Sequence, residues 1–212
     1  MDKEESRLLK KIARSPWSNA PRLEYAAWIE RQGDKARSEQ AEFLRLDAEH
    51  EQIVDAIGGP HVYDPAHDNR FSEIRRRLRD LRCSLDPAWL VHVDRDLAIP
   101  PELLPRGKEA AQLILTFLLA EGLTGTCGCQ AFYSPQQWKE RGEKYGHDAL
   151  LILVYDGGDI NSCMDPTTGP HELIDRFEEN LEQHGFVIEP CTHWYSAIYD
   201  DKDYKPFAIG LG

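Results

Sequence analysis

A proline-bearing stretch, Ile99-Pro100-Pro101-Glu102-Leu103-Leu104-Pro105, separates two parts of the chain that carry different residue patterns. Before it, apolar residues recur at helical spacing between glycine and proline stops, and after it, helical patterns alternate with short β-type runs. A linker between two such patterns predicts two domains, 1–105 and 106–212. The expected fold class is α+β, with a small N-terminal helical bundle followed by an α/β domain whose small sheet packs against helices.

Helical periodicity in the first part predicts three helices in close succession. The first ends at Ser15-Pro16. The second starts with Asn19 as its cap and ends at Gly33, after which Asp34 caps a third helix that stops at Gly58-Gly59-Pro60. Short helices with tight connections are expected to pack as a bundle.

A turn-rich loop over 58–70 precedes a predicted fourth helix at about 71–85. This helix contains the basic run Arg75-Arg76-Arg77-Leu78-Arg79, with Arg82 one turn later. Acidic residues surround the run, namely Glu73, Asp80 and Asp86. Mixed charge of this kind predicts a solvated helix face rather than a phosphate site.

Part of the helical half carries an ordered set of motifs. They are Leu8-Leu9, Ala20-Pro21-Arg22-Leu23-Glu24-Tyr25-Ala26-Ala27-Trp28-Ile29-Glu30, Gly33-Asp34-Lys35-Ala36-Arg37 and Glu42-Phe43-Leu44-Arg45-Leu46. In order and spacing this stretch, about residues 6 to 47, resembles the bacterial repeat-companion domain. Ala27 stands where that family usually has Asp, and an insertion near Ser38-Glu39 lengthens the approach to Phe43. The resemblance implies a modular helper in a bacterial protein and no enzyme, and no internal repeat follows it here.

The second part predicts three further helices and several strands. Crowded apolar residues make a buried helix of 108–120, Ser134 caps a short helix, and a third helix covers 170–184 before Gly185. Strands are expected at 125–133 and 149–155, with one long strand or a pair of strands over 186–199.

Charge limits the class of partner. The chain has 25 Lys and Arg against 37 Asp and Glu, and after Pro105 the counts are 8 against 17. An acidic surface repels nucleic-acid phosphates and anionic lipids, so the expected partner is another protein rather than nucleic acid or a membrane.

The start of the chain and the cysteines indicate a cytoplasmic protein. The first residues alternate in charge with no apolar segment behind them, and the longest apolar runs are too short to span a bilayer. Five scattered cysteines, an odd number, do not resemble a disulfide framework, so we expect reduced thiols.

Two short segments offer zinc ligands: Cys127 and Cys129 in the first, Cys191 and His193 in the second. Thiolates and imidazole are the ligands that zinc prefers, and residues two apart on a strand share a face. The four side chains therefore form a candidate structural metal site, which competes with packing of the cysteines as small buried hydrophobes.

Two further features, a candidate cysteine nucleophile and a candidate cation-binding loop, also have simpler structural interpretations. Cys163 beside Asp165, or Cys191 near His193, are candidate nucleophiles, although no known signature surrounds either. Asp156-Gly157-Gly158-Asp159 after an apolar strand is a candidate divalent-cation loop, but its glycines favour a simple tight turn.

Aromatic residues are frequent in the second part, and most are expected to be core. They are Phe132, Tyr133, Trp138, Tyr145, Tyr155, Trp194, Tyr195 and Tyr199. Any that are exposed would suit a protein-binding face, because Trp and Tyr are enriched at such interfaces.

The sequence therefore favours a non-enzymatic protein-interaction module, an adaptor or an immunity-type binding protein. The alternative is a zinc-binding or cysteine-dependent enzyme whose site lies in the second part.

Overall fold

The computed structural model describes residues 2–58, 68–126 and 129–204. The backbone forms two compact units, Met1–Arg95 and Asp96–Gly212. The predicted linker Ile99–Pro105 lies inside the second unit, where Leu103 is buried. The fold is α+β with an N-terminal helical region, as the sequence predicts.

The first unit is helical. Its helices are α1 (Lys3–Arg14), α2 (Asn19–Gln32), α3 (Ser38–Ile57), α4 (Asp68–Ser84) and α5 (Pro87–Val93). Most of the predicted loop, residues 59–67, lies outside the described part of the chain, while α4 begins at Asp68 rather than at Phe71.

Two predicted caps differ in detail. Ser18 is the N-cap of α2, and the Asn19 side chain instead donates to the carbonyl of Ala48 at 3.2 Å. Asp34 accepts from Ala36 N at 2.9 Å and so caps a 3₁₀ turn that precedes α3. Both side chains satisfy backbone groups, but tertiary contact has taken Asn19 away from its own helix.

An aromatic cluster forms the centre of the first core. The Tyr25 and Trp28 rings stack with centroids 5.9 Å apart, and Phe43 meets Trp89 edge-on at 5.9 Å. The indole Nε1 of Trp89 donates to the Tyr25 hydroxyl at 3.1 Å. Burying rings of this size supplies a large part of the hydrophobic stabilisation of a small bundle.

A buried carboxylate joins α2 and α3 to the segment that follows α5. Asp47, 3% exposed, accepts two bonds from Arg95 Nε and one from Arg95 Nη2 at 2.8 Å. On its other side, Arg22 Nε lies 3.0 Å from Asp47 Oδ2, an ion pair without hydrogen-bond geometry. Burial lowers the pKa of the Arg22 guanidinium, and the charge of Asp47 opposes that shift.

The second unit combines helices with an antiparallel sheet. Its elements are α6 (Pro105–Glu121), β1 (Phe132–Tyr133), α7 (Pro135–Glu140), β2 (Leu151–Val154), α8 (His171–Glu182), β3 (Phe186–Pro190) and β4 (Tyr195–Asp200). The described strands form a four-stranded sheet in the order β1-β2-β4-β3. Among the described residues of the strand predicted at 125–133, only Phe132 and Tyr133 form a strand, and the stretch 186–199 is a pair of strands.

Both faces of the sheet are covered. Ile152 opposes Ala197 and Val154 opposes Tyr195, and this face packs against Trp138 of α7. The alternate residues point to the other face, and α6 contacts β2 and β4 while α8 contacts β3. The helix predicted to be buried, α6, is so on one side only, because Leu113 and Phe117 remain half-buried.

Replacing Asp47 by Ala is expected to lower the free energy of unfolding by about 3–5 kcal/mol, because two buried guanidinium groups lose their counter-charge. Urea unfolding measures this loss. The control Glu30→Ala breaks the exposed pair with Arg45 and should cost about 1 kcal/mol or less. Equal losses in the two variants would contradict the assigned role of Asp47.

Candidate functional site

The two segments with candidate zinc ligands lie at one end of the sheet but on opposite edges. Cys129 precedes β1, Cys191 follows β3, and the antiparallel pairings bring both to the end where β2 stops and β4 starts. Two strands separate these edges, which is about 14 Å at the usual strand spacing. To bind one ion together, the ligands from the two segments would have to reach across that end of the sheet.

The thiols of Cys129 and Cys191 each have a backbone partner. Cys129 Sγ donates to the carbonyl of Asp156 at 3.2 Å, and Cys191 Sγ lies 3.6 Å from the carbonyl of Glu189. His193 is exposed in the β3–β4 turn. Among the residues that the structure describes, no group of three or more His, Cys, Asp or Glu side chains is placed to hold a metal ion. Cys127 lies outside the described residues, so the four-ligand site stays a prediction.

The candidate nucleophiles have thiol pKa values shifted upward. Burial raises the pKa of Cys163 to about 12, with Glu121 and Asp159 adding to the shift. Burial likewise raises the pKa of Cys191 to about 11. An activated cysteine needs the opposite shift, because the thiolate is the nucleophile. These two thiols are therefore protonated near neutral pH.

In the acidic turn after β2, the carboxylate of Asp159 binds the backbone. Gly157 and Gly158 have φ of 85° and 74°, and a Cβ on Gly158 would lie 2.5 Å from the carbonyl oxygen of Gly125. Asp159 Oδ2 accepts from Gly125 N at 2.7 Å. Asp165 is similarly engaged, since it accepts from both the backbone N and the hydroxyl of Thr167. This geometry is that of a tight turn, the simpler of the two sequence interpretations.

Most of the aromatic residues of the second unit are core. The buried ones are Phe132, Trp138, Tyr155, Tyr195 and Tyr199. Trp138 lies at the centre, with ring centroids 4.7 Å from Tyr195 and 5.5 Å from the half-buried Trp194. Tyr145 does not share a helix face with Trp138, because α7 ends at Glu140.

A groove of about 560 Å³ lies between the end of α2 and the start of α3. Its lining includes the apolar side chains of Ile29, Ala41 and Leu46. The rim pair Glu30 and Arg45 is bidentate, with both contacts at 2.6 Å. The lining also includes the charged residues Asp34, Lys35 and Glu42.

The charge imbalance resides almost wholly in the second unit. Residues 1–95 contain 17 Lys and Arg against 18 Asp and Glu, whereas residues 96–212 contain 8 against 19. This is a sharper contrast than the sequence boundary at Pro105 suggests.

One helix concentrates the excess of acid. The exposed side of α8 carries Asp175, Glu178, Glu179 and Glu182, which we call the α8 acidic face. Partial burial raises the pKa of Glu178, and the charges of Asp175 and Glu182 add to the shift. Arg176 on the same helix is engaged by Glu121, with contacts of 2.6 and 2.8 Å. Arg176 is therefore paired outside the α8 acidic face, whose carboxylates remain exposed to solvent or to a partner.

Comparisons with protein-family models, with curated proteins and with solved structures found no match. Within the described residues, no helix is both long enough and apolar enough to cross a membrane.

Alkylation with iodoacetamide at neutral pH is expected to modify Cys83 first and Cys163 last. Cys83 is exposed, whereas only about one in 10⁴ to 10⁵ of the buried thiols is ionised at pH 7. Peptide mass spectrometry over time gives the order, and the rate at Cys191 should rise steadily up to about pH 11. Fast labelling of Cys163 or Cys191 at pH 7 would revive the nucleophile hypothesis.

Elemental analysis of the purified protein tests the zinc hypothesis. A structural site at Cys127, Cys129, Cys191 and His193 requires one zinc per chain, and Cys127→Ser should remove most of it. The control Cys83→Ser changes an exposed thiol elsewhere and should leave the zinc content unchanged. A zinc content far below one per chain, equal in all three proteins, removes the hypothesis.

Proposed function

We propose that this chain is a non-enzymatic protein-interaction protein, a bacterial cytoplasmic adaptor or immunity-type binding protein. In this proposal the helical unit is a repeat-companion-like helper, and the second unit binds a cationic partner protein through its acidic surface. The observation that carries the proposal is the excess of 19 Asp and Glu over 8 Lys and Arg in residues 96–212.

The α8 acidic face is the part of this surface that best fits a partner. Its four carboxylates repeat every three or four residues, so they project from one side of the helix. Like charges at this spacing destabilise a helix by a few tenths of a kcal/mol each, and a cationic partner would relieve that repulsion. Complementary charge also speeds encounter and excludes partners of the wrong sign.

The thiols support the same choice between functions. A cysteine-dependent enzyme would need an ionised sulfur, whereas burial raises the pKa of Cys163 to about 12 and of Cys191 to about 11.

The balanced charge of the helical unit and its resemblance to a helper domain fit a supporting role in this proposal. Binding is therefore assigned to the second unit.

A pull-down with a matched pair of variants tests the proposal. Glu178→Gln, Glu179→Gln and Glu182→Gln together remove three charges from the α8 acidic face. The control Glu140→Gln, Asp148→Asn and Asp203→Asn removes three from other exposed positions of the same unit. We expect wild type and control to retain a basic protein from a native bacterial lysate, and the α8 variant to retain it at least severalfold less.

Salt gives a second measurement on the same complex. Retention should fall between about 0.1 M and about 1 M NaCl, because the Debye length drops from about 10 Å to about 3 Å. Capture that is insensitive both to salt and to the α8 charges would contradict the acidic face as the binding surface.

A further inference from the structure

Helix α4 carries an exposed row of arginines. Arg75, Arg76 and Arg79, which we call the arginine stripe, lie within about 100° of arc on the helix, together with the exposed Ser72 and Cys83. This side of α4 is thus polar and cationic along its central turns.

The stripe differs from the other arginines of the same helix. Arg77 makes a bidentate pair with Glu42 at 2.8 and 2.7 Å, and Arg70 does the same with Glu49 at 2.7 and 2.7 Å. Arg82 is bound by Asp94 in the same manner.

In contrast, the structure gives the arginine stripe no carboxylate partner among the described residues. Among the described residues, the stripe makes one cation–π contact: the Arg75 guanidinium lies 5.7 Å from the centroid of the Phe71 ring. The neighbouring carboxylate of Glu73 instead pairs with Arg70 at 3.6 Å. Three guanidinium groups therefore present their donors to solvent.

The chemistry of the stripe fits carboxylates on another protein better than phosphates. Glu73 and Asp80 border it on the same helix, so the stripe lacks the continuous positive surface that suits a polyanionic nucleic acid. The planar guanidinium matches a carboxylate in a two-bond fork, the geometry that Arg77 already makes with Glu42.

We propose that the arginine stripe binds the acidic second unit of another copy of this chain. The inference rests on the acidic surface of the proposed function and names a partner for it. Residues 96–212 have 19 Asp and Glu against 8 Lys and Arg, so their charge is complementary to that of the stripe. Both surfaces belong to the same chain and are therefore present at equal concentration in any solution of the protein. The α8 acidic face is its densest part, and it repeats at helical spacing as the stripe does.

The stripe and the acidic unit are different surfaces, so two arrangements satisfy them. In a two-fold dimer each copy's stripe meets the acidic unit of the other, and in a head-to-tail arrangement one surface stays free and association continues beyond a dimer unless it closes into a ring. Sedimentation should therefore show an average mass that increases with protein concentration, starting from the monomer mass of 24.3 kDa.

Analytical ultracentrifugation of the full chain tests the proposal. At about 0.1 M NaCl we expect the weight-average mass of wild type to rise with concentration, and at about 1 M NaCl to return to the monomer value. Arg75→Glu, Arg76→Glu and Arg79→Glu together should abolish the rise at low salt. The control Lys10→Glu, Arg14→Glu and Arg31→Glu makes the same change of net charge at exposed cations outside α4 and should still associate.

Mixing two charge-reversed variants shows whether association is lost through the changed charges or through loss of folding. Asp175→Lys, Glu179→Lys and Glu182→Lys should also be monomeric alone, but a mixture of this protein with the stripe variant should associate, since each regains a partner of opposite sign. Circular dichroism confirms that each variant is folded.

Three results would overturn the inference: a wild type that is monomeric at every concentration at low salt, a control that dissociates as fully as the stripe variant, or a mixture that stays monomeric. Each leaves the capture of a heterologous basic protein by the α8 acidic face as a separate result, so the two proposals fail independently.

Discussion

The first unit depends on one buried carboxylate, Asp47, which holds two guanidinium groups away from water. Arg22 comes from α2 and Arg95 follows α5, so three segments distant in sequence meet at a single charge. Other donors of the two groups reach nearby oxygens: Arg22 Nη2 donates to Val93 O at 3.1 Å, Arg95 Nη1 to Trp17 O at 3.2 Å and Arg95 Nη2 to Asn19 Oδ1 at 2.8 Å. A buried charge is tolerated only when paired and hydrogen-bonded in this way.

Pairing of this kind also decides what remains on the surface. In the helical unit, which is nearly neutral, Glu42, Glu49 and Asp94 each engage one arginine of α4, and the arginine stripe is left without a described carboxylate partner. In the second unit, Arg106 and Arg176 are the arginines found in ion pairs, and the excess of acid stays exposed on helices such as α8. Opposite surface charges on one chain are the basis of both proposed contacts.

The sheet of the second unit separates the two described cysteines of the predicted zinc site. Antiparallel pairing brings Cys129 and Cys191 to the same end of the sheet, while the order β1-β2-β4-β3 puts them at opposite edges. Burial then raises the pKa of Cys191 and Cys163, because a thiolate loses more solvation than a thiol. The burial that makes a cysteine a good core residue thus also makes it a poor nucleophile.

The sequence by itself determined the class of fold, the first three helices with their stops at Gly33 and Gly58, and the tight turn at Gly157-Gly158. These depend on periodicity and backbone freedom within a few residues, which a single chain displays directly. Only the tertiary structure decided that Phe132–Tyr133 pairs with β2 as an edge strand, and which arginines of α4 pair with carboxylates. Strand pairing, charge pairing and thiol burial join residues that lie far apart along the chain, and no local pattern records which of several equivalent side chains will meet.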